Sequence, residues 1–101
     1  MVLPESVMEL MWEYDPDGLK TLSDLPDVII ERVMERGRWS DMRWLLQAAG
    51  RARLKVFLEQ RGSRALPPRE LRFWSWIAGI PEPKASEWVR LAKQRESSWR
   101  R

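Results

Sequence analysis

The stretch LRFWSWIAGIP, residues 71–81, holds a Phe and two Trp within four residues and ends in a glycine and a proline. On a helical wheel with 100° per residue, its apolar side chains cover most of the circumference. Arg72, Ser75 and Gly79 share the narrow stripe that is left. A helix that is apolar nearly all round is buried, and Gly followed by Pro is a helix stop signal. We therefore predict a helix over about residues 68–78 at the centre of the core.

Aromatic residues interleaved with Arg can also form a stacking surface for nucleic acid. Such a platform needs aromatic rings that are exposed beside a basic groove. The wheel favours burial over stacking, and exposure of both Trp74 and Trp76 would reverse that interpretation.

Proline and glycine divide the remaining sequence into short helical segments, and no β-type alternation competes with them. These segments cover about residues 5–14, 25–36, 41–49, 51–61 and 83–95. The sequence thus predicts an all-α fold, a single compact domain of five to six short helices over residues 1–101, with residues 1–4 and 96–101 frayed. The predicted core consists of Ile30, Val33, Leu45, Leu46, Phe57, Leu58, Leu71, Trp74, Ile77 and Trp88.

Local signals set the predicted helix ends. DPDG, Asp15–Gly18, ends the first segment as a turn. Asp24 is the expected N-cap of the second segment, and Ser40 is that of the third. Trp39 and Trp44 flank Ser40 at the spacing of a hydrophobic staple.

The composition excludes several kinds of active site. The chain contains no Cys and no His, so disulfides, thiolate zinc sites and cysteine nucleophiles are excluded and the commonest general base is missing. The serines have no His to activate them, and no glycine-rich phosphate-binding loop is present. Asp15 and Asp17 lie in a turn without further ligands in register, which makes a poor metal site. We expect no catalytic activity, no cofactor and no metal.

Charge divides the chain into two halves. Residues 1–50 carry five basic and ten acidic residues, a net charge of −5. Residues 51–101 carry thirteen basic and five acidic residues, a net charge of +8. Such a split indicates an acidic partner or nucleic acid. The alternative is a solvated surface whose charges only keep the protein soluble.

The last two helical segments are joined by GIPE, Gly79–Glu82, a short connection like that of a helix-turn-helix. Arg and Gln on the outward face of the last segment can read base edges, and Lys can contact phosphate. The candidate nucleic-acid-binding residues are Lys84, Ser86, Arg90, Lys93 and Gln94. A solvated face or a protein contact would fit the same pattern.

The sequence gives no sign of membrane targeting. Residues 1–22 lack the basic start and apolar stretch of a signal peptide. No apolar run approaches the roughly 20 residues that span a bilayer. We expect a cytoplasmic protein without a membrane contact.

Three stretches resemble a family of small, uncharacterised prokaryotic helical proteins: MWEYDPDGL (Met11–Leu19), DVIIERVMERGRWSDMRWLL (Asp27–Leu46) and LPPRELRFWSWIAGIP (Leu66–Pro81). The family shows an aromatic-rich FWD.D entry, an I..RVL..G....IRWL middle and an L..R.L.FW C-terminal helix. In the entry motif Trp12, Tyr14 and Asp15 match, and Glu13 stands where the family tends to have Asp. The resemblance covers about residues 8–88.

Members of this family are often encoded beside nucleotidyltransferase toxins of the abortive-infection (AbiEii) type. The resemblance therefore implies a non-enzymatic antitoxin, or an accessory partner of such a toxin, and it carries over no catalytic residues. Two other functions stay open. One is a transcriptional regulator that binds double-stranded DNA with the last two helices, and the other is a structural or homo-oligomerising module.

Overall fold

The computed structural model describes residues 2–20 and 24–99, and this part of the chain is helical without a β-strand. The predicted all-α fold class is confirmed. The helices are α1 (Glu5–Leu10), α2 (Pro16–Lys20), α3 (Asp27–Arg36), α4 (Trp39–Phe57), a π-helical turn (Leu58–Gly62), the single turn α5 (Ser63–Ala65), α6 (Pro68–Ile77) and α7 (Glu82–Trp99). No helix among these residues combines the length and the apolar character needed to cross a bilayer.

Gly50 interrupts α4 and separates two compact units, Met1–Ala49 and Gly50–Arg101. Its φ of 79° and ψ of 157° lie in a region that side-chain-bearing residues rarely adopt. The division of the helical pattern at this glycine follows the sequence prediction. It also separates the charges, because the first unit has a net charge of −5 and the second +8. The arrangement of residues 1–101 as a single domain stays a prediction.

In the first unit, α1 packs against α3. The contact follows from apolar residues at helical spacing, since Val7, Ile29, Ile30 and Val33 are all fully buried. The carboxylate of Asp41, near the start of α4, is also buried. The Ser6 hydroxyl donates to its Oδ1, and the Arg38 backbone N–H donates to its Oδ2 at 3.0 Å.

Three predicted features of helix ends were wrong. The first segment stops at Leu10 rather than near residue 14, so DPDG does not end it. Instead, Asp15 Oδ1 accepts the Asp17 N–H and Pro16 begins α2. Asp with Pro after it is an effective helix start.

The other two corrections concern the caps of α3 and α4. Asp24 accepts the N–H of the residue next to it, Leu25, and α3 begins only after Pro26. Ser40 is exposed inside α4, whose first residue is Trp39. The capping contact comes from Asp41, because the N3 carboxylate of a helix can reach back to the N-cap N–H. The staple spacing assumed for Trp39 therefore does not apply.

In the second unit, α6 ends where the sequence predicts. Gly79 has a φ of 76°, its N–H donates to the Trp76 carbonyl at 3.1 Å, and the Ile80 N–H donates to the Ser75 carbonyl at 2.9 Å. These two bonds form a Schellman motif, which needs a left-handed residue that glycine supplies most readily. Ile80 is buried, as the apolar residue of such a motif commonly is.

The predicted all-round burial of α6 was wrong. Leu71, Trp74 and Ser75 are buried, but Trp76 is 76% exposed. Leu71, Trp74 and Ser75 are spaced i, i+3 and i+4, and burial at this spacing is typical of a helix that packs against the protein on one side only. The π-helical turn and α7 contact α6, and its opposite face stays open. Of the ten predicted core residues, Leu46, Ile77 and Trp88 are only partly buried and the other seven are buried.

The predicted pair of helices with a short connection is confirmed, and α7 runs back along α6. Pro68 at the start of α6 and Lys93 in the second half of α7 line the same groove. Further on, the Arg95 guanidinium donates to the carbonyls of Ser63 at 3.1 Å and Leu66 at 2.8 Å. The helix continues to Trp99, beyond the predicted end. Of the predicted frayed termini, residues 1, 100 and 101 lie outside the described residues.

Candidate functional site

The five predicted nucleic-acid-binding residues all lie on α7, and acidic side chains bind Lys84, Ser86 and Arg90. Lys84 Nζ lies 3.5 Å from Glu59 Oε2 and 5.5 Å from the centroid of the Trp88 ring. The Ser86 hydroxyl donates to Glu82 Oε1 at 2.8 Å. That bond, together with a hydrogen bond from Arg72, holds the pKa of Glu82 below its ordinary value.

Arg90 is bound by the carboxylate one turn earlier on the same helix. Its Nε and Nη2 donate to the two oxygens of Glu87, the former at 3.2 Å. These bonds lower the pKa of Glu87 and raise that of Arg90. Gln94 is exposed. A duplex-reading role for this face of α7 stays a prediction.

Lys93 lies apart from these pairs, in an open groove of about 460 Å³ between α6 and α7. Three cationic side chains and three apolar ones line it: Arg69, Arg72, Lys93, Pro68, Phe73 and Val89. No carboxylate is among the lining residues. The groove therefore combines positive charge with apolar surface.

Trp76 lies outside the lining of this groove but on the same side of α6 as its two arginines. Arg69, Arg72 and Trp76 recur at i, i+3 and i+7 and so share one helix face. Phe73 borders that face and meets the buried Trp74 edge to face, with 5.4 Å between ring centroids and an angle of 87°. The sequence analysis missed this arrangement, although the spacing of the two arginines and Trp76 could have indicated it.

A second candidate surface lies in the first unit. An apolar groove of about 270 Å³ is bounded by the end of α1, by α2 and by the start of α3. Its lining residues are Met11, Tyr14, Asp15, Gly18, Leu19, Pro26, Val28 and Ile29. Trp12 follows Met11 in the chain and is 77% exposed. Of the two exposed aromatic residues of the entry motif, Tyr14 lines the groove and Trp12 directly follows a lining residue in the chain.

Arg32 holds the segment that carries these aromatics. Its guanidinium makes two hydrogen bonds to the Glu13 carboxylate, at 2.7 and 2.8 Å, and a third to the Leu10 carbonyl at 2.7 Å. The hydrogen bond from Arg32 lowers the pKa of Glu13, and that carboxylate in turn raises the pKa of Arg32. The end of α1 and the residues after it are therefore fixed against α3.

The described part of the chain contains no cluster of side chains that could bind a metal ion. No three acidic side chains come together there at a spacing that could hold an ion. Each unit therefore offers one candidate surface, an apolar groove in the first unit and a groove with three cationic side chains in the second.

The chain is similar to a family of unknown function, DUF6922, whose model matches residues 8–56. No curated protein and no solved structure matches the chain. The matched residues include Trp12, Tyr14 and most of the apolar groove of the first unit. The groove between α6 and α7 lies beyond the match. The chain thus carries a helical region similar to an uncharacterised family.

Proposed function

We propose that this protein is a non-enzymatic, antitoxin-like binding protein whose first unit holds a partner protein. The observation that supports this most is the exposure of two aromatic side chains of one short segment, Trp12, which follows the groove residue Met11 in the chain, and Tyr14, which lines the groove itself. The resemblance described above makes a nucleotidyltransferase toxin the partner we propose.

A protein partner fits this surface better than a small ligand does. Large aromatic side chains supply much of the binding energy of protein interfaces, where they fill or border apolar pockets. Trp12 is a large ring on a segment that Arg32 already holds in place. A preorganised segment loses little conformational freedom on binding, so more of its contact energy appears as affinity.

Charge indicates which kind of protein surface would bind. The first unit carries a net charge of −5, and Asp15 and Asp17 lie at the groove or beside it. Complementary charge raises the rate of association and disfavours acidic partners. The matching surface of the partner is therefore an apolar side chain surrounded by Lys and Arg.

Co-expression with the product of the adjacent gene tests the proposal. The tagged protein should purify with a nucleotidyltransferase encoded there and should relieve its toxicity. Trp12→Ala should weaken the complex at least tenfold, a central hot-spot loss of about 2 kcal/mol. Trp39→Ala is the matched control, because Trp39 is 65% exposed in the same unit but none of its neighbours in the chain lines the groove, whereas Trp12 directly follows Met11.

The proposal fails if the two proteins neither purify together nor counteract each other when both are folded. It also fails if Trp12→Ala and Trp39→Ala bind the partner equally well. Circular dichroism of both variants shows whether the first unit remains helical.

A further inference from the structure

We propose that the groove between α6 and α7 binds single-stranded nucleic acid, with Arg69 and Lys93 contacting phosphates and Phe73 and Trp76 stacking on bases. This site belongs to the second unit alone and does not depend on the partner proposed for the first unit.

The cations of the groove are available to a phosphate backbone. The Arg69 side chain is 95% exposed, and its nearest carboxylate, on Glu70, is 3.7 Å away. Lys93 is exposed and forms no ion pair with any acidic side chain of the described residues. Arg72 also lines the groove but is bound to Glu82 at 3.0 Å. Arg69 and Lys93 are therefore the stronger phosphate contacts.

The aromatic residues lie where bases could stack. Trp76 shares a helix face with both arginines, and Phe73 lies three residues before it, about 4.5 Å along the helix axis. Phe73 is kept in position by its edge-to-face contact with Trp74. Trp76 is exposed and Phe73 is partly exposed. Binding of single strands without sequence preference commonly combines a basic groove with aromatic rings on which bases stack.

Unpaired bases fit these features better than a duplex or an acidic peptide. In a duplex the faces of the bases are already stacked on each other, so Phe73 and Trp76 would gain little. An acidic peptide could pair with the cations, but its carboxylate side chains would offer no aromatic ring for Trp76 to stack on. The combination of rings and cations therefore favours single strands.

Fluorescence anisotropy with a labelled oligothymidylate of about 12 nucleotides tests the proposal, since such a length covers an ordinary single-strand site. Affinity should fall steeply between about 50 and 200 mM salt. Lys93→Gln and Arg69→Gln should each reduce the slope of log K against log salt by about 0.7. Lys55→Gln and Arg61→Gln are matched controls, because both residues are exposed in the same unit outside the groove.

Stacking is tested separately from charge. Trp76→Ala should weaken binding about fivefold or more at every salt concentration and leave the slope unchanged. Trp76→Phe keeps a ring and should recover part of the loss. Trp39→Ala, an exposed Trp of the other unit, should have no effect.

Three results would overturn the proposal. The first is no binding of the oligonucleotide at about 50 mM salt by the folded protein. The second is a duplex, or a polyglutamate of equal charge, bound as tightly as the single strand. The third is a loss of affinity no larger in the groove variants than in their controls. Since none of these measurements involves the partner protein, each is separate from the test of the proposed function.

Discussion

Ser75 and Trp76 are neighbours on α6 with opposite environments. Ser75 is fully buried and its hydroxyl has no hydrogen-bond partner among the described residues, whereas Trp76 is 76% exposed. A helix turns by 100° per residue, so one residue can face the core while the next faces solvent. The sequence order of these two side chains therefore places a polar group inside and a large apolar ring outside.

Ser75→Ala should stabilise the second unit. A buried hydroxyl without a partner costs free energy, and Ala also has the higher helix propensity, so we expect a gain of about 1 kcal/mol in the free energy of unfolding. Urea unfolding followed by circular dichroism measures it. Ser86→Ala is the control, since Ser86 is exposed on α7 and bonded to Glu82. An equal or larger gain for Ser86→Ala would contradict the assignment.

Asp41→Ala should destabilise the first unit by about 2 kcal/mol, because it removes the acceptor of both the Ser6 hydroxyl and the Arg38 N–H. Ser40→Ala, one residue away and exposed, should change the free energy of unfolding by less than about 0.5 kcal/mol. Thermal and urea unfolding of the two variants distinguish them. Comparable losses would mean that Ser40 contributes to the cap after all.

The Arg32–Glu13 pair should make the stability of the first unit depend on acid pH. The pKa of Glu13 is lowered in the folded state, so the unfolded chain binds the proton more readily. The stabilisation is present above the ordinary carboxyl pKa and is lost as the pH falls from about 5 through the lowered value. Unfolding free energies measured across this range should decline less steeply in Arg32→Gln than in Arg43→Gln, which removes an exposed cation of the same unit that does not act on Glu13.

Gly50→Ala should destabilise the protein more than Gly18→Ala does, although both positions are open. No atom would meet the added Cβ, so the cost comes from the φ of 79° and ψ of 157° alone, roughly 1–3 kcal/mol. Gly18→Ala also meets no atom and lacks a positive φ. A difference in melting temperature near zero between the two variants would show that the backbone at residue 50 adopts another conformation in solution.

Local signals in the sequence were sufficient where the determining contacts are local. The stop of α6 is an example, because the Schellman bonds join residues within one turn of Gly79. The cap of α4 is the opposite case. Ser40 and Asp41 are both acceptable cap residues by type, and the hydrogen bond that accompanies Asp41 comes from Ser6, 35 residues away. Nothing in a short window could have chosen between them.

In the candidate sites, too, features set by local spacing were predictable and features set by contacts between helices were not. The outward direction of α7 side chains was predictable from helical spacing, but their pairing with Glu59, Glu82 and Glu87 depends on rotamers and on a second helix. The exposure of Trp76 was missed because a helical wheel of α6 shows only the polarity of each side chain. It carries no information about which helices pack against α6. Only the packing of α7 on one side of α6 determines which apolar face remains open.

The central claim is that the Trp12 surface of the first unit holds a partner protein, and the affinity of the purified complex tests it most directly. Titration of the product of the adjacent gene, which we propose is a nucleotidyltransferase, with wild-type protein, Trp12→Ala and Trp39→Ala gives three dissociation constants. We predict that Trp39→Ala binds like the wild type and that Trp12→Ala binds at least tenfold more weakly. Equal affinities for all three proteins, or no binding by folded wild-type protein, would contradict the claim.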